Sequence, residues 1–304
     1  MNKLYQTIGI SKQAVYNYQR RQMQFEAKLE KLIVKVEKLR KEHPGCGVEK
    51  MYYMLSPDFI GRDKFIEIFM DLGFGIKRKK NYKRTTYPTH IYYPNLIKGM
   101  EVKAPNVIWQ SDITYIKIGD KFYYAVFIID VYTKEIVGYN LSPHMRATAN
   151  MKALMMATKQ YGYPKIHHSD RGSQYVYKEY IALLKNHGTQ ISMALSAQDN
   201  AYAERINRTI KEEYIEPRNI KDYNTLERSM KKAVKHYNLK RIHNHLNRDT
   251  PANFRKKMLT LLGQERPTLL IYNDQNDETS KMHCYKTNKV KKNRIINPKT
   301  VNLI

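Results

Sequence analysis

Three runs rich in β-branched and aromatic residues, 107–118, 121–130 and 135–141, follow one another with breaks only at Gly119-Asp120 and Tyr132-Thr133-Lys134. Runs joined by such short breaks can reach only each other, so they predict three antiparallel strands in a meander. The pattern then alternates. Residues 147–161, rich in Ala, Met and Leu, read as a helix stopped by Gly162-Tyr163-Pro164, and 165–168 read as a short strand. Residues 177–186 read as a helix and 189–193 as a strand. A loop through Ser196-Ala197-Gln198 leads into a helix over about 199–214. A sheet that begins as a meander and continues through helical crossovers is a mixed one, with helices on its faces.

Three strands, helix, strand, helix, strand, helix is the order of a ribonuclease-H-like fold. The fold class is therefore α/β, a mixed five-stranded sheet, and this core extends over 105–262 with a further helix at about 224–237. Residues 1–75 read as all-helical. Ile8-Gly9-Ile10-Ser11 forms a turn with an N-cap before a short polar helix, 12–18, the shape of a helix-turn-helix unit that would put Lys12 and Gln13 on DNA. A long amphipathic helix follows, with Leu29, Leu32, Ile33, Val36 and Leu39 at helical spacing, stopped by His43-Pro44-Gly45. Two short helices at 48–55 and 62–72 form a second such unit. Residues 76–104 read as a basic linker, in which Lys77, Arg78, Lys79, Lys80 and Arg84 interleave with tyrosines and would track a phosphate backbone. Residues 263–304 read as a basic tail with a short hairpin.

Charge narrows the partner. The chain carries 54 Lys and Arg against 28 Asp and Glu, a net of +26. The excess is uneven: +11 over 1–104, +3 over 105–220 and +12 over 221–304. A nearly neutral centre between two basic arms fits binding surfaces attached to a chemical core with a polyanionic substrate. No apolar stretch approaches the roughly 20 residues of a membrane span. Cys46 and Cys284 lack metal-site spacing, which fits a reducing cytoplasm and excludes a zinc module.

Against that charge, three acids stand out. Asp112 falls within the first strand, Asp170 at the end of the fourth, and Glu204 early in the last core helix. Strand ends and a passing helix can bring all three together. Carboxylates are hard ligands suited to Mg²⁺ or Mn²⁺, and two such ions can clamp an in-line displacement at phosphorus. Arg171 and Gln174 follow Asp170, while Arg208 and Lys211 lie on the helical face of Glu204; these are candidate phosphate contacts. Asn200 is placed to cap or orient the helix start and is a further candidate DNA contact. His167 and His168 are read as strand-packing residues ahead of a general-base role, and Asp130 as a turn residue ahead of a fourth carboxylate.

The segments 109–115 (Trp-Gln-Ser-Asp-Ile-Thr-Tyr), 127–130, 168–175 (His-Ser-Asp-Arg-Gly-Ser-Gln-Tyr), 192–193 and 199–204 (Asp-Asn-Ala-Tyr-Ala-Glu) closely resemble the integrase core of bacterial insertion-sequence transposases. The nearest group is the second-reading-frame (OrfB) product of the IS-three type, in the DDE superfamily that includes retroviral integrase. Residues 37–84 resemble the helix-turn-helix domain before that core. Tyr237-Asn238, Arg241, His243, Leu246 and Thr250-Pro251 resemble its closing motif, and add Arg241 to the DNA-contact candidates.

The resemblance implies Asp112, Asp170 and Glu204 as catalytic and metal-holding residues, with two Mg²⁺ or Mn²⁺ ions per site. It implies cleavage at element ends and attack of the 3′-hydroxyl on target DNA. The implied partners are terminal inverted repeats, target DNA and further copies of the chain, in a bacterial cytoplasm at the nucleoid. End recognition falls either to this chain or to the product of an upstream frame. One departure is visible: 33 residues separate Asp170 from Glu204, two fewer than is usual in the family, and Ser196-Ala197-Gln198 replaces a glycine-containing loop. Two other readings share these residues. A decayed or domesticated transposase would bind DNA as a repressor without chemistry, and a ribonuclease-H-like nuclease would hydrolyse without joining.

Overall fold

The computed structural model describes residues 9, 11–76, 93–271 and 285–286. The predicted meander forms. Strands β2 (Ile108–Ile118), β3 (Lys121–Asp130) and β4 (Ile136–Ser142) pair antiparallel in sequence order. Ile118 pairs with Lys121 across the two-residue turn, where Gly119 takes φ +57°, a conformation that favours glycine. β5 (Ile166–Ser169) then pairs parallel to β2, and β6 (Gln190–Met193) parallel to β5. The sheet order is β4-β3-β2-β5-β6, the mixed sheet the sequence predicts.

Alternating side chains feed two cores. One face packs Ile116, Phe127 and Ile129 against α6 (Ala201–Ile210) and α7 (Tyr223–Leu239). The other packs Trp109, Val126 and Ile128 against α4 (Ala147–Tyr161) and α5 (Lys178–Asn186). Helix α4 lies so close to β4 that a Cβ on Gly138 would fall 2.3 Å from the Ala153 carbonyl oxygen.

The N-terminal region departs from expectation. The polar helix over 12–18 and the amphipathic helix after it are one element, α1 (Lys12–Glu42), capped by Ser11, whose side chain accepts from Ala14 N. No residue between them breaks the backbone hydrogen bonding, so the two periodic segments merge. The helix expected before Gly9 lies outside the described residues. Helices α2 (Val48–Leu55) and α3 (Arg62–Asp71) form as read and cover the C-terminal half of α1 through Leu32, Val36, Met51, Phe65 and Phe69.

The predicted linker and tail also meet. β1 (Glu101–Val102) pairs with β7 (Thr268–Leu270), which pairs with β8 (Tyr285–Lys286) in a second, three-stranded sheet. Val102, Leu269 and Ile271 join Phe254 and Met258 of α8 (Pro251–Thr260) in one apolar cluster. Residues 268–271 therefore belong to a folded body, held by apolar burial that a basic, Asn-rich composition conceals.

The helical unit is docked on the core through charge. Glu213 accepts two hydrogen bonds from Arg241, at 2.8 and 2.6 Å, and lies 2.6 Å from His43 Nε2. Burial raises the Glu213 pKa, but those hydrogen bonds outweigh it and hold the carboxyl well below its usual range. A depressed folded-state pKa contributes stability above the unfolded value and loses it as pH falls through the folded one. Glu213→Gln is expected to lower the urea midpoint at neutral pH and to flatten its decline below about pH 4. Urea titrations of both proteins across that range would check this; parallel declines would remove Glu213 from the acid response.

Candidate active site

The three predicted acids come to one edge of the central sheet. Asp112 sits in β2, past the last β2–β5 pair at Ser111, so the strand edge beside it is open. Asp170 is the first residue after β5, and Glu204 lies in the first turn of α6, where a negative charge meets the helix dipole favourably. Asp112 and Asp170 are half-buried and Glu204 is exposed.

Asp112 feels the charges of the other two, and Glu204 that of Asp170. Burial, then the charges of Asp170 and Glu204, push Asp112 up to about 8, against hydrogen bonds from Ile113 N and Asn207. Burial raises Asp170, offset by a hydrogen bond from Gly172 N, and burial raises Glu204, offset by Arg208. Three acids that cannot all ionise cheaply form a site whose electrostatics a divalent cation would reverse. The donor set is all oxygen, which suits Mg²⁺ or Mn²⁺ over zinc. Among the described residues no three His, Cys, Asp or Glu side chains are already gathered into a ready ligand cluster. The carboxylates are instead held by hydrogen bonds: Asp112 Oδ1 by Ile113 N at 2.8 Å, its Oδ2 by Asn207 Nδ2 at 2.8 Å, and Asp170 Oδ1 by Gly172 N at 3.1 Å.

A polar seam joins β2 to α6. The fully buried Gln110 accepts from Tyr202 N (3.1 Å) and Ala203 N (3.3 Å) and donates to the Asp199 carbonyl (3.0 Å). It thereby serves as a side-chain cap for the helix bearing Glu204, satisfying N–H groups that a helix start leaves open. Asn200 Nδ2 donates to Ser111 O at 3.0 Å, and Asn207 binds Asp112 as above. The short loop before α6 becomes a 3₁₀ turn, Ala197–Asn200. Ser196 and Asp199 cap it reciprocally, and Asp199 also accepts from Leu195 N. Neither Gln110 nor Asn207 stands out in the sequence. The signal that finds Gln110 is its spacing of two from Asp112, which on a strand puts both on one face.

The remaining candidates divide. Arg208 is exposed beside Glu204, whose charge it offsets, and Lys211 lies over the Tyr115 ring at 4.9 Å. Arg171 and Gln174 flank the turn after Asp170. A Cβ on Gly172 would come within 3.0 Å of both Asp170 Oδ1 and Gln174 Oε1. Lys12 and Gln13 are exposed on the first turn of α1, in a continuous helix. Asn200 and Arg241 are buried and committed, to Ser111 and to Glu213, so neither faces a DNA surface. Lys77, Arg78, Lys79, Lys80 and Arg84 lie outside the described residues.

The two histidines pack as expected. His167 pairs with Tyr180 OH at 2.9 Å and His168 with Ser192 Oγ at 2.8 Å; burial pushes them down to about 3 and about 4, so both are neutral. Asp130 is fully buried and accepts from Thr133 N and Asn106 N, a turn-holding role.

Two family models, each described as an integrase core domain, match residues 102–197 and 188–251. The insertion element IS600 uncharacterized 31 kDa protein of Shigella sonnei is 31% identical over 268 residues, 83% of this chain and 97% of that protein. The transposase for insertion sequence element IS629 of Shigella sonnei is 34% identical over 232 residues, 73% of this chain and 78% of that one. The transposase InsF for insertion sequence IS3A of Escherichia coli (strain K12) is 31% identical over 150 residues, 47% of this chain and 52% of that one. Among solved structures, the HTLV-2 integrase catalytic core domain in complex with magnesium aligns at TM-score 0.42 and 18% identity, over 50% of this chain and 97% of that one.

Replacing Gln110 with Leu keeps the volume and strands two helix N–H groups and the Asp199 carbonyl. The expected loss of folding stability is about 1–3 kcal/mol, read as a shift in urea midpoint. A midpoint equal to wild type would mean that the seam does not hold α6.

Proposed function

The chain belongs to the insertion-sequence transposases of the DDE integrase superfamily, and we propose that it cuts the ends of its element and joins them to target DNA. The observation that carries this is the meeting of Asp112, Asp170 and Glu204 at one open sheet edge, each within reach of another's charge.

Asp112, Asp170 and Glu204 would hold two Mg²⁺ or Mn²⁺ ions. Bound there, the ions supply Lewis-acid stabilisation of charge on the attacking and leaving oxygens. The chain's own part is positional. The seam of Gln110, Asn200 and Asn207 fixes α6 against β2, which sets where Glu204 stands relative to Asp112. Arg208, which offsets the charge of Glu204, and Lys211 would hold the phosphates of the DNA strand. In cleavage, water attacks the phosphorus at the element end, a new P–O bond forms, and the broken P–O bond leaves a 3′-hydroxyl. In joining, that hydroxyl attacks a target phosphorus in line and the target strand's 3′-oxygen departs, so no covalent enzyme intermediate is needed.

Two ends cut and joined together call for at least two copies of the chain on DNA. The basic arms supply sequence-independent affinity, with the helical unit or an upstream-frame product reading the terminal repeat. Among the described residues no helix is long and apolar enough to cross a membrane, and a protein with this substrate works at the bacterial nucleoid.

The test is strand transfer with the purified chain, a duplex carrying the element's terminal repeat, a plasmid target and Mg²⁺. Joined products are expected from wild type and not from Asp170→Asn or Glu204→Gln, with DNA binding retained in both variants. Nicks without joined products would reduce the enzyme to a nuclease. Metal-independent binding with no cutting would make it a DNA-binding protein without chemistry.

A further inference from the structure

The helix that carries Glu204 does not end at Ile210. It widens into one π turn, Lys211–Ile215, closed by Glu216 N donating to the Lys211 carbonyl at 2.8 Å. A π turn is a poorer arrangement than an α turn and persists where its surroundings hold it, often beside a functional site. Here the surroundings are the N-terminal helical unit. Gly45 N donates to the Glu213 carbonyl at 2.8 Å. A Cβ on Gly45 would lie 2.3 Å from Glu213 Cα, so the two backbones touch as only glycine allows. His43, fully buried, meets Glu213 Oε2 at 2.6 Å, and its ring stacks on Tyr214 at 4.5 Å with 2° between the planes.

Other contacts bind the same two parts. Arg218 donates to the Lys41 and Glu42 carbonyls at 3.4 and 3.1 Å, covering the open C-terminal end of α1. Lys240 bonds Glu42 at 2.7 Å, and the Arg248 guanidinium lies 3.6 Å from the centre of the Tyr53 ring. At the centre stands Glu213, on the catalytic helix itself, nine residues past Glu204 and about 14 Å along the axis. Breaking a buried ion pair of this kind leaves an uncompensated charge.

We propose that Glu213 is a positioning residue: it locks the N-terminal helical unit and the helix of Glu204 into one rigid body, so that DNA held by that unit meets the carboxylates at a fixed distance. This rests on the reading above of Glu204 as a catalytic residue. The covalent path between the two parts runs through residues 76–93; the Glu213 dock is a second, non-covalent connection.

The test uses the full chain with nitroxide labels at two exposed positions, Lys31→Cys on α1 and Lys159→Cys on α4, and Cys284→Ser to remove a competing thiol. The other thiol, Cys46, is buried. Electron–electron distance measurement should give one narrow distribution in the otherwise wild-type chain. Gly45→Val and Glu213→Ala should broaden it, and should lower cleavage at saturating DNA by about a hundredfold, with KM for DNA unchanged. Glu213→Gln keeps the shape and should restore a narrower distribution and part of the rate, and it carries the test if Gly45→Val fails to fold. A distribution that stays narrow in both disruptive variants would overturn the proposal. So would a broad one with wild-type cleavage. The distances need no activity, so a chain that cuts no DNA would defeat the catalytic reading while leaving the dock to be decided by the spin labels.

Discussion

Like charges resist being brought near one another, and Asp112 feels the charges of both Asp170 and Glu204. Burial, and after it the charges of Asp170 and Glu204, raise the Asp112 pKa well above the ordinary carboxylate range. What holds Asp112 in place is a set of neutral amides. Gln110 fastens the start of α6 to β2, Asn200 fastens the turn before it, and Asn207 grips Asp112 directly. Gln110 donates and accepts at once, Asn200 and Asn207 donate, and none of the three adds charge. Two apolar cores then fix the sheet that all of this hangs upon, so the positions of the acids follow from packing on both faces.

The same helix is held at its far end by charge. Glu213 lies between Arg241 of the core and His43 of the N-terminal unit, and the π turn that presents it opens its carbonyl to Gly45. One helix is therefore fixed at its start by the central strand and at its end by the N-terminal helical unit. The chain carries a great excess of Lys and Arg. Arg241 shows that a member of that excess can be entirely internal, committed to a single carboxylate.

Much of this was legible along the chain. The meander, the crossover helices and the short parallel strands follow from period and breakers, because strand and helix bury apolar residues at different spacings. The acids were legible as departures from a basic background and from the motifs around them. The merging of 12–18 with the helix after it was not, since two segments of different polarity can share one backbone ladder. Nor was the second sheet, in which Val102 and Leu269 meet across more than half the chain. Arg241 and Asn200 read as candidates for DNA because a cation and an amide look alike whether they face solvent or a buried partner.

By itself the sequence determined which elements form, the order in which they join the sheet, and which three acids stand at its edge, because these depend on local period and on residue type. Only the tertiary structure decided that Gln110 caps the helix of Glu204, that Glu213 ties that helix to His43, and that Arg241 is a clamp inside the protein. Those facts are pairings between residues 28 to 170 positions apart. Hydrogen-bond geometry between distant side chains leaves no periodic trace in a chain; it exists only once packing has brought the partners within 3 Å or so of each other.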